Sequence, residues 1–311
     1  MATTVTAPVA NDIELAARYL PLQDEIYTSE SRSAILDTAS DYVQFVNADT
    51  VNIYTIDAKG MGNYNRNAGF VPGDVAGFWT PYQLQTDRGR SYMVDVLDNE
   101  ESMNMAFGGL LSVVERQHII PELDAYRFAT YANGAAAANQ ISADLSTGAG
   151  AVAAIDDATA QMDDDEVPYE GRILFVAPST YKLIKSGITR MVMNGDRNIN
   201  SNIEVYNDMR VITVPQKRFV SAITLLDPQD HDDNGGYTPA AGAYNLNFMV
   251  IHPSAILQVM KHRVTRIFAP SQNTQADAYL LQPRYSHGAW VKSQKTNGIY
   301  VHAAGSAIPS N

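Results

Sequence analysis

The sequence predicts an α+β fold, and three features carry that prediction. A β-strand pattern runs directly into a long amphipathic helix between Thr86 and Tyr131. Ahead of it lies a long glycine- and asparagine-rich connection, Ala58 to Asp87, flanked by strand-like residues. Behind it, short apolar strands mix with helices and then give way to a β-rich C-terminal region.

Taken in order, Met1 to Asn11 is small, polar and proline-containing, which predicts a flexible tip. Asp12 to Leu20 has helical spacing through Ile13, Ala16, Ala17 and Leu20, stopped by Pro21. Leu22 to Thr38 carries scattered apolar anchors without a period, as an arm lying along a surface would. Val51 to Asp57 alternates as a strand, and its expected partner is Arg88 to Asp98. Connections as long as Ala58 to Asp87 tend to be functional or disordered. The apolar residues near its tip (Met61, Tyr64, Phe70, Val71, Phe78 and Trp79) predict an extended hairpin that needs a surface to dock against.

In the next strand Tyr92, Val94 and Val96 face one way and Ser91, Met93 and Asp95 the other. The period then changes to that of a helix. Met103, Phe107, Leu110, Val114 and His118 share one face, while Glu101, Asn104, Ser112 and Glu115 fall on the other. Asp98 is a good N-cap, and Glu100 and Glu101 suit the positive end of the helix dipole. At ~1.5 Å per residue, 99–120 makes a rod of about 33 Å. Pro121 removes a donor and predicts a kink, after which helix resumes with Glu122 and Asp124 and ends near Asn133-Gly134. Gly108 and Gly109 each cost ~1 kcal/mol inside a helix, so they predict close contact with a sheet or with another copy.

Beyond a small-residue connector, the pattern predicts a helix at 151–162, an acidic solvated loop at 163–168, a buried strand at 172–177 and a helix at 178–186 started by Pro178. A polar loop follows at 188–208. Strands are predicted at 210–215, 222–227 and 247–252, then a helix from Pro253 to about His262. The chain closes with strands at 264–269, 279–291 and 298–302.

The composition excludes several functions. The 311 residues include no cysteine, which removes disulfides, thiolate metal sites and cysteine nucleophiles. With 22 basic and 34 acidic residues, the net charge of −12 repels nucleic acid over most of the surface, although a protein can enclose DNA without adhering to it. No apolar run reaches transmembrane length and no secretory signal opens the chain, so a soluble protein made in the cytoplasm is expected. Gly60-Met61-Gly62 fails as a dinucleotide fingerprint because position 65 is asparagine and no helix follows. The six histidines lack zinc spacing. Asp230 to Gly235 fits the first half of a calcium loop, but Ala241 stands where a bidentate glutamate belongs, and a solvated acidic turn is the better reading. No catalytic constellation, cofactor site or metal site emerges.

The order of parts (dotted arm, long hairpin, kinked rod, mixed α/β region, β-rich return) resembles the major capsid protein of tailed bacteriophages, with its HK-ninety-seven-type fold. The resemblance spans nearly the whole chain. It rests on GMGNYNRNAGFVPGDV at 60–75, TDRGRSYMVDVLDNEE at 86–101 and IIPELDAYRF at 119–128. VTRIFAPSQNTQADAYLLQPRYSHGAWV at 264–291 and NGIYVH at 297–302 add to it.

The resemblance implies an N-terminal arm at 1–48 and an extended loop at 49–98. It implies a peripheral domain at 99–135 and 264–287 and an axial domain at 136–263 and 288–311, with 187–208 lining a fivefold or sixfold centre. Contacts between subunits are expected at Tyr64, Arg66, Phe70, Trp79, Arg88 and Arg90. The implied partners are copies of the chain as hexamers and pentamers, a portal, a decoration protein and enclosed double-stranded DNA, with no membrane. No charged coiled coil precedes the arm, so a separate scaffolding protein is expected. Some members cross-link through a lysine on the extended loop; Lys59 lies nearby, but its surroundings do not match that chemistry. The expected location is the virion, assembled in the bacterial cytoplasm. The alternatives are an encapsulin-type shell around an enzyme cargo and a carbohydrate-active enzyme with paired carboxylates in a cleft.

Overall fold

The two largest of four sheets among the described residues, one covered on both faces and one backed by a single helix, meet along a bent rod. The computed structural model describes residues 30–37, 44–45, 50–58, 60–64, 66, 70, 75–84, 86–97, 110, 112–188, 202–228 and 233–308. The first turns of the rod with Gly108 and Gly109, most of the arm, Lys59, most of the 188–208 loop and Asp230 to Asp232 lie outside these residues.

β1 (Gln44–Phe45), β2 (Thr50–Ala58) and β3 (Val75–Gln83) form a three-stranded antiparallel sheet. β2 and β3 pair without a break from Thr50↔Gln83 to Ala58↔Val75. This corrects the expected pairing of β2 with 88–98. The second half of the long connection is itself strand, and alternation alone does not say which of two neighbouring strands is the partner. β4 (Thr86–Gly89) and β5 (Tyr92–Asp95) instead pair with the penultimate strand of the chain.

The rod is helical at Leu110 and 112–114, makes a wide five-residue turn at Glu115–Ile119, and continues as α1 (Ile120–Gly134). The turn replaces the simple proline kink predicted at Pro121. A proline ring crowds the preceding turn and offers no donor, and an i→i+5 turn makes room for it. The extra residue also shifts the inward face. Glu115 and Ile120, five apart, are both buried, while His118 is exposed. The sequence pattern had assigned His118 inward and Glu115 outward, because a constant 3.6 period has no place for an added residue.

β6 (Gln140–Ser142), α2 (Gly148–Asp164), β7 (Ile173–Val176) and α3 (Pro178–Gly187) follow, then β8 (Val205–Tyr206), β9 (Met209–Thr213), β10 (Ile223–Leu226) and β11 (Gly236–Pro239). β12 (Tyr244–Ile251), β13 (Ile256–Phe268), β14 (Ala278–Val291) and β15 (Ile299–Ala307) complete the chain. A six-stranded sheet has the order β6-β15-β12-β7-β9-β8. Its central strands, β7 and β12, are apolar on both faces because both are covered. Ile173, Phe175, Met249, Ile251 and Val301 pack with Phe128 and Tyr131 of α1. Leu174, Val176, Phe248 and Val250 pack with Ile155, Ala158 and Met162 of α2 and Ile184 of α3. The start of α2 meets the end of α3 at Gly148 and Gly187, where a Cβ on either glycine would collide with the other's backbone.

The acidic run after α2 is only partly a solvated loop. Asp163 lies in the helix and pairs at 2.6 Å with Arg172, whose side chain is buried.

The second sheet has the order β13-β14-β4, with β5 also on β14. The first of its two long strands corrects a predicted helix. Pro253 starts a short 3-10 turn, Pro253–Ala255, and the chain then extends as β13 for 13 residues. Leu257 and Val259 pack against Val51 at the hairpin base, while Ile256 joins the core beneath α1. With both faces covered, this end of the strand shows no alternation, and a short apolar run of that kind reads as helix or strand equally well.

Candidate functional site

The hairpin is rooted firmly and capped loosely. At its base Val51 is fully buried with Leu257, Val259, Tyr82, Leu84 and Trp290, and the Tyr82 and Trp290 rings are 5.5 Å apart. Nine paired residues at ~3.4 Å each carry the tip roughly 30 Å from that root. At the tip Met61, Tyr64 and Phe70 are exposed, the last by 86%. The Tyr64 and Phe70 rings lie 4.8 Å apart, so two of the predicted contact residues form one aromatic knob; Arg66 is exposed. Trp79 is half exposed farther down β3. Large apolar groups gathered at an exposed tip are the usual mark of an interaction site.

Arg88 and Arg90 stand elsewhere. Arg88, on β4, donates Nε and Nη2 to the two Glu122 carboxylate oxygens at 2.7 and 3.1 Å, and Nη2 also reaches the Gly236 carbonyl at 3.3 Å. A bidentate guanidinium–carboxylate pair fixes direction as well as distance. Arg88 thereby ties the sheet to the rod and to β11. Arg90 donates to the Asp233 carbonyl at 3.1 Å. The structure brings the Tyr64 and Phe70 rings together and leaves Trp79, Arg88 and Arg90 apart from them.

No family model and no curated protein sequence matches the chain. Solved structures do. The capsid structure of the cyanophage P-SCSP1u superimposes with a TM-score of 0.58 at 12% identity, over 88% of this chain and 87% of that one. The asymmetric unit of the bacteriophage PhiM1 mature capsid gives 0.55 at 12% identity, over 83% and 82%. A chain of Microbacterium phage Oxtober96 gives 0.58 at 12% identity, over 98% and 95%. The chain has the HK-ninety-seven-type fold of phage capsid proteins. At such identities the fold is what the chains share.

Within this capsid fold, Arg88 is joined in holding the parts together by buried residues that were not among the expected contact residues. Asp124, in α1, is wholly buried and accepts from five donors: Ser31 Oγ at 2.7 Å, the Arg32 amide at 3.0 Å, the Ser33 amide at 3.2 Å, Ser33 Oγ at 2.7 Å and Arg218 Nη1 at 3.2 Å. Arg127, one turn on and also buried, donates to Ser33 Oγ at 2.9 Å and pairs with Asp37 at 3.4 Å. Gln258 of β13 donates to the Ser33 carbonyl at 3.0 Å and accepts from the Tyr131 hydroxyl at 2.6 Å. Residues 30–37 are thus bound by a polar socket that joins α1, β13 and the Gln216–Arg218 turn, with Leu36 as their buried apolar anchor. A second buried acid, Glu115, accepts from Arg263 at 3.0 Å and from the Tyr285 hydroxyl at 2.7 Å. Burial, with the Glu115 charge next, pushes the Tyr285 phenol up.

Three histidines are partly or wholly buried in the fold. Burial pulls His252 and His302 below the usual imidazole range, and His287 falls to about 3 through burial and then the charges of Arg127 and Arg88. Among the described residues no group of three or more acids or histidines could hold a metal ion.

Proposed function

We propose that the chain is the major capsid protein of a tailed double-stranded DNA bacteriophage, the subunit that builds the icosahedral head. One observation carries the reading: the fold is shared with phage capsid structures over almost the full length of both chains, including 88% and 87% for the P-SCSP1u capsid. The rooted hairpin with its uncovered aromatic tip supports it, because such a tip is covered only when copies pack side by side. In this reading residues 1–48 are the arm and the paired strands at 50–58 and 75–83 form the extended loop within 49–98. The rod with β13 and β14 is the peripheral domain, and the six-stranded sheet with α2 and α3 is the axial domain. Copies associate as pentamers and hexamers, and a separate scaffolding protein, a portal and a decoration protein complete the head. The net charge of −12 suits a wall that encloses DNA without gripping it. The subunit is structural, not an enzyme.

Sedimentation of the protein co-produced with its scaffolding protein tests this reading. Particles in the megadalton range are expected. A chain that remains monomeric at every concentration, or that proves to be a soluble enzyme of one or two subunits, would overturn it.

A further inference from the structure

The chain holds four Asn-Gly pairs, the dipeptide whose asparagine side chain the backbone attacks most easily, because glycine has no side chain to shield its amide nitrogen. Asn194-Gly195 lies outside the described residues, and the fold treats the other three differently. Asn133 stands at the end of α1, where its Nδ2 donates to the Ser221 carbonyl at 3.0 Å. Gly134 is still helical and so close to Val291 that a Cβ there would collide. Gly298 is buried against Ala255, and the Asn297 carbonyl accepts from Asn139 Nδ2 at 3.2 Å. Neither of these pairs can bend into a ring without displacing packed atoms. Asn234 is exposed, and with Gly235 it belongs to no helix or strand. Gly236, the next residue, is left-handed at φ +96° and opens β11. A cation stands beside this pair. The Arg90 guanidinium donates to the Asp233 carbonyl at 3.1 Å, and its Nη1 lies 3.3 Å from the point that a Cβ on Gly235 would occupy.

We propose that Asn234 is a modification site, which deamidates without an enzyme to isoaspartate and aspartate, with Arg90 promoting the step and pairing with the product. Hydroxide removes the Gly235 amide proton, the nitrogen attacks Cγ of Asn234, and the side-chain nitrogen leaves as ammonia with a proton taken from water. Water then opens the five-membered imide. Opening at the main-chain carbonyl leaves isoaspartate, and opening at Cγ leaves aspartate. The sum is ammonia lost and water gained, with nothing oxidised or reduced. A guanidinium beside Gly235 favours both the amide anion and the oxyanion that forms on Cγ. It then supplies the counter-charge for the new carboxylate. Asn234, Gly235 and Arg90 line a cleft of about 330 Å³ between the rod and β14. The change therefore adds a negative charge at that cleft, and the isoaspartate form lengthens the main chain by a methylene just before β11. In a shell that is built once and not renewed, the product accumulates with age; that consequence rests on the proposed function, and the chemistry does not.

Peptide mass spectrometry of aged free subunits tests this, and its outcome does not depend on whether the chain builds a shell. Subunits are held at neutral and at mildly alkaline pH and then digested, and isoaspartate is counted with an isoaspartyl methyltransferase and a labelled methyl donor. The peptide holding Asn234 is expected to gain about one dalton, faster at the higher pH, and to take up label. The peptides holding Asn133 and Asn297 are expected to stay unchanged in the folded protein and to convert once it is unfolded in urea. An Asn234 that stays intact in folded subunits while it converts in the unfolded chain would overturn the site. Asn133 and Asn297 converting as fast as Asn234 in folded subunits would overturn the selection by the fold. Arg90→Gln is expected to slow the folded-state conversion several-fold and leave the unfolded rate unchanged; equal folded rates would overturn the role of Arg90. Gly235→Ala should suppress most of the conversion. Undiminished conversion in that variant would mean direct hydrolysis of the side-chain amide and would overturn the imide route.

Discussion

Asp124 is the residue on which the attachment of the arm depends. Its carboxylate is surrounded by five donors, and an amide in its place would turn two of its own hydrogens toward them. Asp124→Asn is expected to destabilise the subunit by about 3 kcal/mol, in the range for breaking one side of a buried ion pair, measured by urea unfolding. A loss under ~0.5 kcal/mol, the size of an ordinary surface change, would show that the socket is open to water. Sequence gave little warning of this hub. Asp124 was legible only as an acid in the first turn after Pro121, and Ser31 and Ser33 lie in the stretch expected as an arm; only the fold brings them together. His287 sets the pH response. Its pKa falls from ~6.5 in an unfolded chain to about 3 in the subunit, with Arg127 and Arg88 disfavouring its cation. The stability it contributes is whole above pH ~6.5 and is lost as pH falls toward 3, on the order of a few kcal/mol at the acid end. His252 and His302 act in the same direction. Unfolding of His287→Leu should therefore depend less on pH over this window than the parent does. Equal slopes would contradict this.

At the scale of elements, the rod and the hairpin are the parts that shape the subunit. Pro121 was legible as a disruption, but the form of the disruption was not. A helix can answer a proline by bending or by widening the turn before it, and here the wide turn also buries Glu115 against Arg263 and Tyr285. Pro121→Ala restores a donor and allows an ordinary turn, which would rotate Glu115 out of its site. Folded subunits with misshapen particles are expected by circular dichroism and negative-stain imaging. Regular particles from the variant would show that Glu115, not the proline, holds the turn. The hairpin was legible as a long connection with an aromatic tip, because Tyr64 and Phe70 are unusual in so polar a stretch. Its strand pairing was not, since strands at 75–83 and 86–95 alternate alike and the long-range partner β14 decides between them. Limited proteolysis should cut free subunits within 60–74 and spare the same bonds in particles. Equal protection in both states would place the tip on its own chain.

For the whole molecule, the order of parts told more than any motif. No short motif in this sequence carries a mechanism. The sequence of arm, hairpin, rod, mixed sheet and long returning strands nonetheless specifies one architecture, because β13 and β14 must close the sheet that backs the rod. The first half of the strand at 256–268, expected as helix to about His262, was the main misreading, and its cause is burial on both faces, which erases the alternation that identifies strands. The central claim is that copies of this chain close into a shell with each hairpin lying across a neighbour. Electron cryomicroscopy of assembled particles tests it most directly. The account predicts icosahedral shells of pentamers and hexamers, with the Tyr64–Phe70 knob of each subunit in density against the next copy. Particles in which every hairpin folds back on its own subunit, or protein that forms no closed shell at all, would contradict it.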